Sequence, residues 1–410
     1  MENISSPRDP YAAFRFRDFR LLFAGRLITS FGNQMLSFAI GWELWLRTHS
    51  TFALGLVGLV QVVPVILLSL PGGHVADHFN RKRIVLVTQI LLAGCSLSLA
   101  YLSFTAGPLV LIYLCLLGIG IARAFNDPAS ATLLPQTVPP IIFTSAATWS
   151  SSAWQFAAIL GPAVAGVLAA VLKSVTIIYV MDALAAFTFL VLISLIKGRE
   201  LALAPRAATL DSLAEGWRFI KNSRVLLAAI TLDMFAVLFG GAVTLLPVYA
   251  TDILQVGATG LGILRAAPSV GAIIMAFTLA HLPAFKRAGP TLLLAVTGFG
   301  LATIVFGLSR SFWLSVAVLG ILGGLDNISV VMRHTMMLTR VPDEMRGRAS
   351  AVNSIFIGAS NELGGFESGA LASLVGPVLA VVGGGFGTIL VVLAISRFFP
   401  EMVAVKTLEE

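Results

Sequence analysis

Gly73-His74-Val75-Ala76-Asp77-His78-Phe79-Asn80-Arg81-Lys82-Arg83-Ile84-Val85 packs Asp77, His78, Arg81, Lys82 and Arg83 into a short turn between two apolar runs. Short loops on the cytoplasmic side of a bilayer collect an excess of Lys and Arg. A basic turn between two runs of membrane length therefore fixes its own side and the sense of every other crossing.

The flanking runs, Phe52–Val75 and Ile84–Phe104, belong to a series. Of the 410 residues 57% are hydrophobic and 11% charged, with a mean hydropathy of +0.93. A soluble domain carries about 25% charged residues, so the solvent of this chain is lipid. A helix needs about 20 apolar residues to cross the hydrocarbon core, and twelve runs qualify. They are Leu21–Leu46, the two already named, Leu109–Ala124, Thr144–Leu172, Val175–Ile196, Val225–Thr251, Gly257–Leu282, Pro290–Leu308, Phe312–Thr335, Ala349–Val375 and Pro377–Phe399. Backbone groups in lipid must be bonded within their own segment, so each run reads as a helix. The alternating ten-residue segments of a membrane barrel are absent.

Twelve crossings put both termini on one side. If that side is cytoplasmic, 20 of the 27 Lys and Arg lie there and three (Arg47, Lys173 and Arg310) lie opposite. The net charge of +7 thus orients the chain in its membrane and does not point to nucleic acid. Cys95 and Cys115 both fall inside spans and offer neither a disulfide framework nor metal-ligand spacing. The N-terminus carries no cleavable signal, so the first crossing acts as its own insertion signal.

The chain repeats itself. Gly58-Leu59-Val60-Gln61-Val62-Val63-Pro64 returns 204 residues later as Gly262-Ile263-Leu264-Arg265-Ala266-Ala267-Pro268. The same offset relates Phe31 to Phe235, Ser150 to Ser354 and Gly161 to Gly365. The expected architecture is all-α: two pseudo-symmetric halves of six helices, 21–196 and 225–399, related as parallel repeats. Residues 1–20 read as a cytoplasmic segment lying at the headgroups, and 400–410 as a cytoplasmic tail. Within the linker 197–224, Leu210, Leu213, Trp217 and Ile220 share one helical face, which predicts an amphipathic helix on the membrane surface.

These features together resemble the major facilitator superfamily of secondary transporters over essentially the whole chain. The family's loop pattern, Gly-x-Leu-Ala-Asp-Arg-x-Gly-Arg-Lys, stands here as Gly73 to Lys82. His78 replaces the usual Arg, and Asn80 the usual Gly, whose left-handed turn Asn tolerates. Arg123-Ala-Phe-Asn-Asp127-Pro-Ala, Gly161-Pro-Ala, Leu246-Pro-Val-Tyr-Ala and Val341-Pro-Asp-Glu-Met-Arg-Gly-Arg348 are similar to the bacterial branch of enterobactin exporters and macrolide-efflux proteins. The resemblance implies a multi-pass protein of the bacterial inner membrane, working as a monomer among membrane lipids. It also implies a conformational latch built from Gly73, Asp77, Arg81, Lys82, Arg123 and Asp127, with Asp77 facing the start of span eleven.

Ionisable residues inside spans cost about 2.5–3.5 kcal/mol on insertion scales and are functional candidates by default. Asp233, Asp326 and Glu362 outnumber the cations expected near them, which makes them candidates for proton coupling. Asp182 also sits inside a span, whereas Arg333 and His334 lie close enough to the cytoplasm to snorkel. In the fold that the resemblance implies, spans one, four, seven and ten line the cavity. Candidate substrate contacts are Arg26, Asn33, Gln34, Gln61, Gln155, Asp233, Arg265, Asp326 and Asn327, with Phe31, Phe38, Phe235 and Phe239 as an aromatic wall.

The expected activity is proton-coupled efflux, an antiport of protons against an amphiphilic small molecule such as a drug or siderophore. Its energy source is the proton gradient, with no cofactor and no metal. Lysophospholipid transport and a non-transporting receptor or scaffold are the alternatives. No HExxH, nucleophile elbow or phosphate-binding loop supports an enzyme. The turn itself generates a test. Asp77→Asn is expected to bias the carrier toward the inward-facing state, read as altered cysteine accessibility at the two mouths. Equal accessibility in mutant and wild type would sink the latch.

Overall fold

The computed structural model describes residues 10–197, 210–282 and 287–405. Expectations that fall on residues 1–9, 198–209, 283–286 and 406–410 lie outside the described residues. The chain is helical throughout, and among the described residues there is no strand. The spans are α1 (Arg17–Thr48), α2 (Thr51–His78), α3 (Arg81–Phe104), α4 (Leu109–Ala131), α5 (Phe143–Leu172), α6 (Thr176–Ser194), α7 (Arg224–Ile253), α8 (Gly257–His281), α9 (Ala288–Leu308), α10 (Phe312–Arg340), α11 (Asp343–Val375) and α12 (Pro377–Phe398). Among the described residues, ten helices are long and apolar enough to cross a membrane. The other two, α1 and α11, are the longest at 32 and 33 residues, but Arg26 and Glu43 in one and Glu362 and Glu367 in the other dilute their apolar content.

Helix ends follow local chemistry. Asn80 is extended (φ −63°, ψ 110°), and its side chain accepts the N–H of Arg83 at 3.2 Å. It serves as the N-cap of α3, so the left-handed turn expected there does not form. Gly376, at φ +90°, ends α11, and Pro377 opens α12. Span seven departs most from expectation. Regular helix stops at Phe239, a 3-10 turn covers Gly241–Leu245, and a π segment covers Tyr249–Ile253. Gly241 lets the irregular segment close on α11, since a Cβ there would lie 2.5 Å from the carbonyl oxygen of Gly364. Pro247, next along, has no N–H to continue the ladder.

The chain divides into two compact units, Met1–Ala39 with Val63–Ala207, and Ile40–Val62 with Ala208–Glu410. Ile40–Val62 is the tip of the α1–α2 hairpin, and within the second unit it packs on α7, α8 and α11. Trp45 donates its indole N–H to the Thr251 hydroxyl at 2.7 Å. A Cβ on Gly369 would sit 2.6 Å from Cα of Gly55, and one on Gly58 would sit 2.6 Å from the carbonyl oxygen of Glu362. Small residues bring helix backbones together where no hydrophobic force does so. The same device joins α8 to α10, where a Cβ on Gly323 would lie 2.5 Å from the carbonyl carbon of Pro268.

Two amphipathic segments pack on the protein. The entering segment packs Phe14 against Phe19, Phe23 and Trp149 at ring distances of 5.3, 5.1 and 5.1 Å, and Trp149 donates to the Pro10 carbonyl at 2.8 Å. The linker helix, Leu210–Asn222, lies on α11: Trp217 stacks on Phe356 at 5.4 Å, Ile220 is fully buried, and Glu215 pairs with Arg348.

Overpacking a close helix contact costs about 1–3 kcal/mol. Gly323→Val is expected to lower the melting temperature of the detergent-solubilised protein by several degrees. Gly383→Ala, at a position with nothing within 4 Å, should leave it unchanged. Size-exclusion melting curves check the contrast.

Candidate functional site

In the second unit, burial and charge meet where α7 crosses α10. Asp233 on α7 and Arg333 on α10 form an ion pair of 2.5 Å, and they are 5% and 6% exposed. The Arg333 Nε–H donates to the Ser329 hydroxyl, one turn back, at 3.3 Å. Asp326 stands seven residues before Arg333, on the same helical face, and interacts electrostatically with both members of the pair. Two carboxylates thus share one guanidinium. Arg333 also lines a cavity of about 230 Å3 with His334, Arg346 and Asn353, toward the end of α10 that meets α11. Only His334 of the two residues expected to snorkel is exposed. Arg333 stays buried, because a carboxylate within hydrogen-bond reach compensates it better than a long route to water.

The first unit holds a counterpart. A polar cavity of about 290 Å3 lies among α1, α3, α4, α5 and α6. Arg26, Thr29, Ser30 and Asn33 present one face of α1 to it, at helical spacing. Arg26 is committed to Ser130 on α4, donating to its carbonyl and its hydroxyl. Arg123 on α4 interacts electrostatically with two carboxylates, Asp127 on its own helix and Asp182 on α6. Asp182, 5% exposed, accepts the Ser96 hydroxyl at 2.6 Å.

The expected site residues distribute as follows. Arg26, Asn33, Arg123 and Asp127 meet in the first unit's cavity, and Asp233 and Asp326 meet at Arg333. Glu362 lies on another seam, where a Cβ on Gly58 would be 3.1 Å from its Oε2. Gln34 is taken up in packing, its Cβ set against Gly161 of α5. Arg265 reaches Gly41 of α1, and the Oδ1 of Asn327 is buried with no hydrogen-bond partner. Gln61 belongs to the hairpin tip, and Gln155 is half-buried on α5. Phe38 is fully buried in packing and forms no cavity wall. Of the latch residues, Gly73 faces open space, Arg81 donates to the Ala76 carbonyl at 3.2 Å, and Lys82 binds the carbonyls of Ser194 and Ile196 at 2.7 and 2.6 Å. Lys82 thereby caps α6. The side chain of Asp77 lies outside the described residues.

Sequence reasoning named Asp182 and Arg333 but left them out of the site, and it passed over Gln89. The rule that singled out Asp233 applies equally to the first two, since both are ionisable residues within a span. Gln89, buried at 2% exposure, had no charge to mark it.

The family described as "Transmembrane secretion effector" matches residues 8–408. The chain belongs to that family. Enterobactin exporter EntS of Escherichia coli O1:K1 / APEC is 27% identical over 383 residues, covering 91% of this chain and 89% of the relative. Among solved structures, a POT family transporter in complex with a thioalcohol-conjugated peptide superposes with a TM-score of 0.74 at 13% identity, over 94% of this chain and 96% of that one. A bacterial homologue of the human lysosomal transporter Spinster, inward-facing and unoccupied, gives 0.70 at 15% identity, over 95% of each chain. The fold is the major facilitator fold, and the family is one of transporters, so the chain is a multi-pass transport protein.

Removing one partner of a buried ion pair costs about 3–5 kcal/mol, because it strands the other charge. Arg333→Met is therefore expected to lower yield and melting temperature sharply. The double variant Asp233→Asn/Arg333→Met should recover most of the loss. Thermal unfolding of purified protein checks this.

Proposed function

We propose that this transporter exports an amphiphilic small molecule, a siderophore-like compound or a drug, by proton-coupled antiport with alternating access. The observation that carries the coupling is the Asp233–Arg333–Asp326 cluster. One guanidinium balances one carboxylate, and in a low-dielectric span the second holds its charge only against a desolvation cost. A proton on either oxygen pair removes that cost, and the cavity at Arg333 gives a route for it. Binding substrate and binding a proton then compete for one charge state, which is the linkage an antiporter needs. The similarity to enterobactin exporters along nine-tenths of the chain supports export and the substrate class. The packing of Ile40–Val62 against α7, α8 and α11 supports a movable gate: α1 and α2 each join one unit at one end and the other unit at the other.

A lipid-handling reading draws on one feature. An apolar groove of about 460 Å3, lined by Leu27, Ile28, Phe31, Phe156, Leu160 and Leu184, suits an acyl chain as well as an aromatic ring system.

Proteoliposomes with and without an imposed pH gradient separate the readings. With a catecholate siderophore, a hydrophobic cationic dye and a lysophospholipid as cargo, the gradient is expected to accelerate the siderophore or the dye in wild type. Asp326→Asn should abolish that acceleration while leaving substrate counterflow. Transport indifferent to the gradient and to Asp326 would overturn proton coupling; lysophospholipid movement alone would favour the lipid reading.

A further inference from the structure

We propose that Asp182 is a second proton-binding site, reached by water through the polar cavity of the first unit. Its consequence for transport rests on the proton-coupled reading above; the protonation itself does not.

The cavity is built for a polar occupant. At about 290 Å3 it exceeds the roughly 30 Å3 share of a water molecule several times over. Its walls carry two guanidiniums and two carboxylates, together with Asn33, Asn126 and Gln89. Gln89 supplies an independent sign. Its amide nitrogen donates to the Asn126 oxygen at 3.4 Å, whereas its Oε1, at a residue 98% buried, has no hydrogen-bond partner. A buried acceptor left open costs about 1–3 kcal/mol, and a water or hydronium in the cavity satisfies it. Buried polar space in proteins is filled in this way.

Asp182 is placed to use that water. It lies twelve residues inside the Ser194 end of α6 and borders the cavity. Gly32 of α1 makes room for it, since a Cβ there would stand 2.7 Å from Asp182 Oδ1. The titratable groups among the cavity's walls are Arg26 from α1, and Arg123 and Asp127 from α4; α3 and α5 offer only Ser96, Gln89, Ser150 and Trp154. Arg26 donates to Ser130, and the guanidinium that acts on both carboxylates is that of Arg123. This is the arrangement found at Arg333. When Asp182 takes a proton from water, the charge of Arg123 passes to Asp127, and the Ser96 hydroxyl loses its ionic acceptor. Loading one half thereby changes the electrostatics of α3, α4 and α6 together.

The test reads the carboxyl group directly and needs no cargo. Infrared difference spectra of the full chain in liposomes, taken between acid and alkaline buffer, are expected to show a protonated carboxyl band. Asp182→Asn should remove one group's share of that band, and Asp182→Glu should return it at a shifted frequency. Ser96→Ala, which keeps the carboxyl but deletes the hydrogen bond to its charged form, should let the band persist to more alkaline pH; this variant serves even if Asp182→Asn fails to fold. A band unchanged in Asp182→Asn, or indifferent to Ser96→Ala, would overturn the second site. A titrating Asp182 in a carrier whose transport ignores the gradient would uphold the site and sink the coupling.

Discussion

A charge in hydrocarbon must be compensated within reach of its own side chain, and the packing of both halves follows from that requirement. Arg333 could have extended toward water. It is held instead by Asp233 on a different helix, at 2.5 Å. An ion pair between helices fixes their rotation about their own axes, which apolar packing in lipid leaves loosely determined. The same holds in the first unit, where Arg26 joins α1 to α4 through Ser130 and Asp182 joins α6 to α3 through Ser96. Polar contacts set the phase of the helices, and small residues then let the backbones close. Gly32 shows the two working together, because the space that admits Asp182 exists only for want of a side chain on α1.

The glycine seams also show where helix backbones meet most closely. The α2–α11 contact at Gly55, Gly58 and Gly369 brings backbone against backbone. Pro64 and Pro71 interrupt the ladder of α2 just beyond the segment that belongs to the second unit. The 3-10 and π segments of α7 lie where the hairpin tip packs. Non-helical backbone at membrane depth is tolerated only against protein or water, and here it coincides with the packing of the hairpin tip.

Much of the fold was legible from hydropathy and from the offset of 204, because both report the solvent of each helix and not its neighbours. The site was half legible. Ionisable residues in spans announce themselves, and Asp233, Asp326 and Arg26 were found that way, whereas Asp127 came from the family resemblance. Pairing was not legible, since it depends on helix phase: Glu362 sits in the same half as Asp233 yet faces Gly58, and Gln34 follows Asn33 in sequence yet packs on Gly161. Arg333 was misread because its distance from the helix end suggested water, while the carboxylate that decides its position lies 100 residues earlier. The amphipathic linker was correctly seen to have an apolar face. What covers that face, Phe356 of α11, is a tertiary fact that no periodicity encodes.

The repeat sharpens what the two charge clusters mean. At the shared offset, Asp233 corresponds to Thr29, Asp326 to Ala122 and Arg333 to Ala129; Arg123 corresponds to Asn327, Asp127 to Val331 and Asp182 to Phe386. Every charged member of one cluster faces an uncharged residue in the other copy. The duplication that supplied two six-helix halves therefore did not supply two copies of the site. Each half sets two carboxylates near a guanidinium with its own residues, α7 with α10 in one and α4 with α6 in the other, and the first unit's cavity adds a second guanidinium, that of Arg26. A purely structural pair needs one carboxylate per guanidinium, and the second adds a desolvation cost that packing does not repay. At Arg333 that cost is accepted, and helix packing alone does not require it.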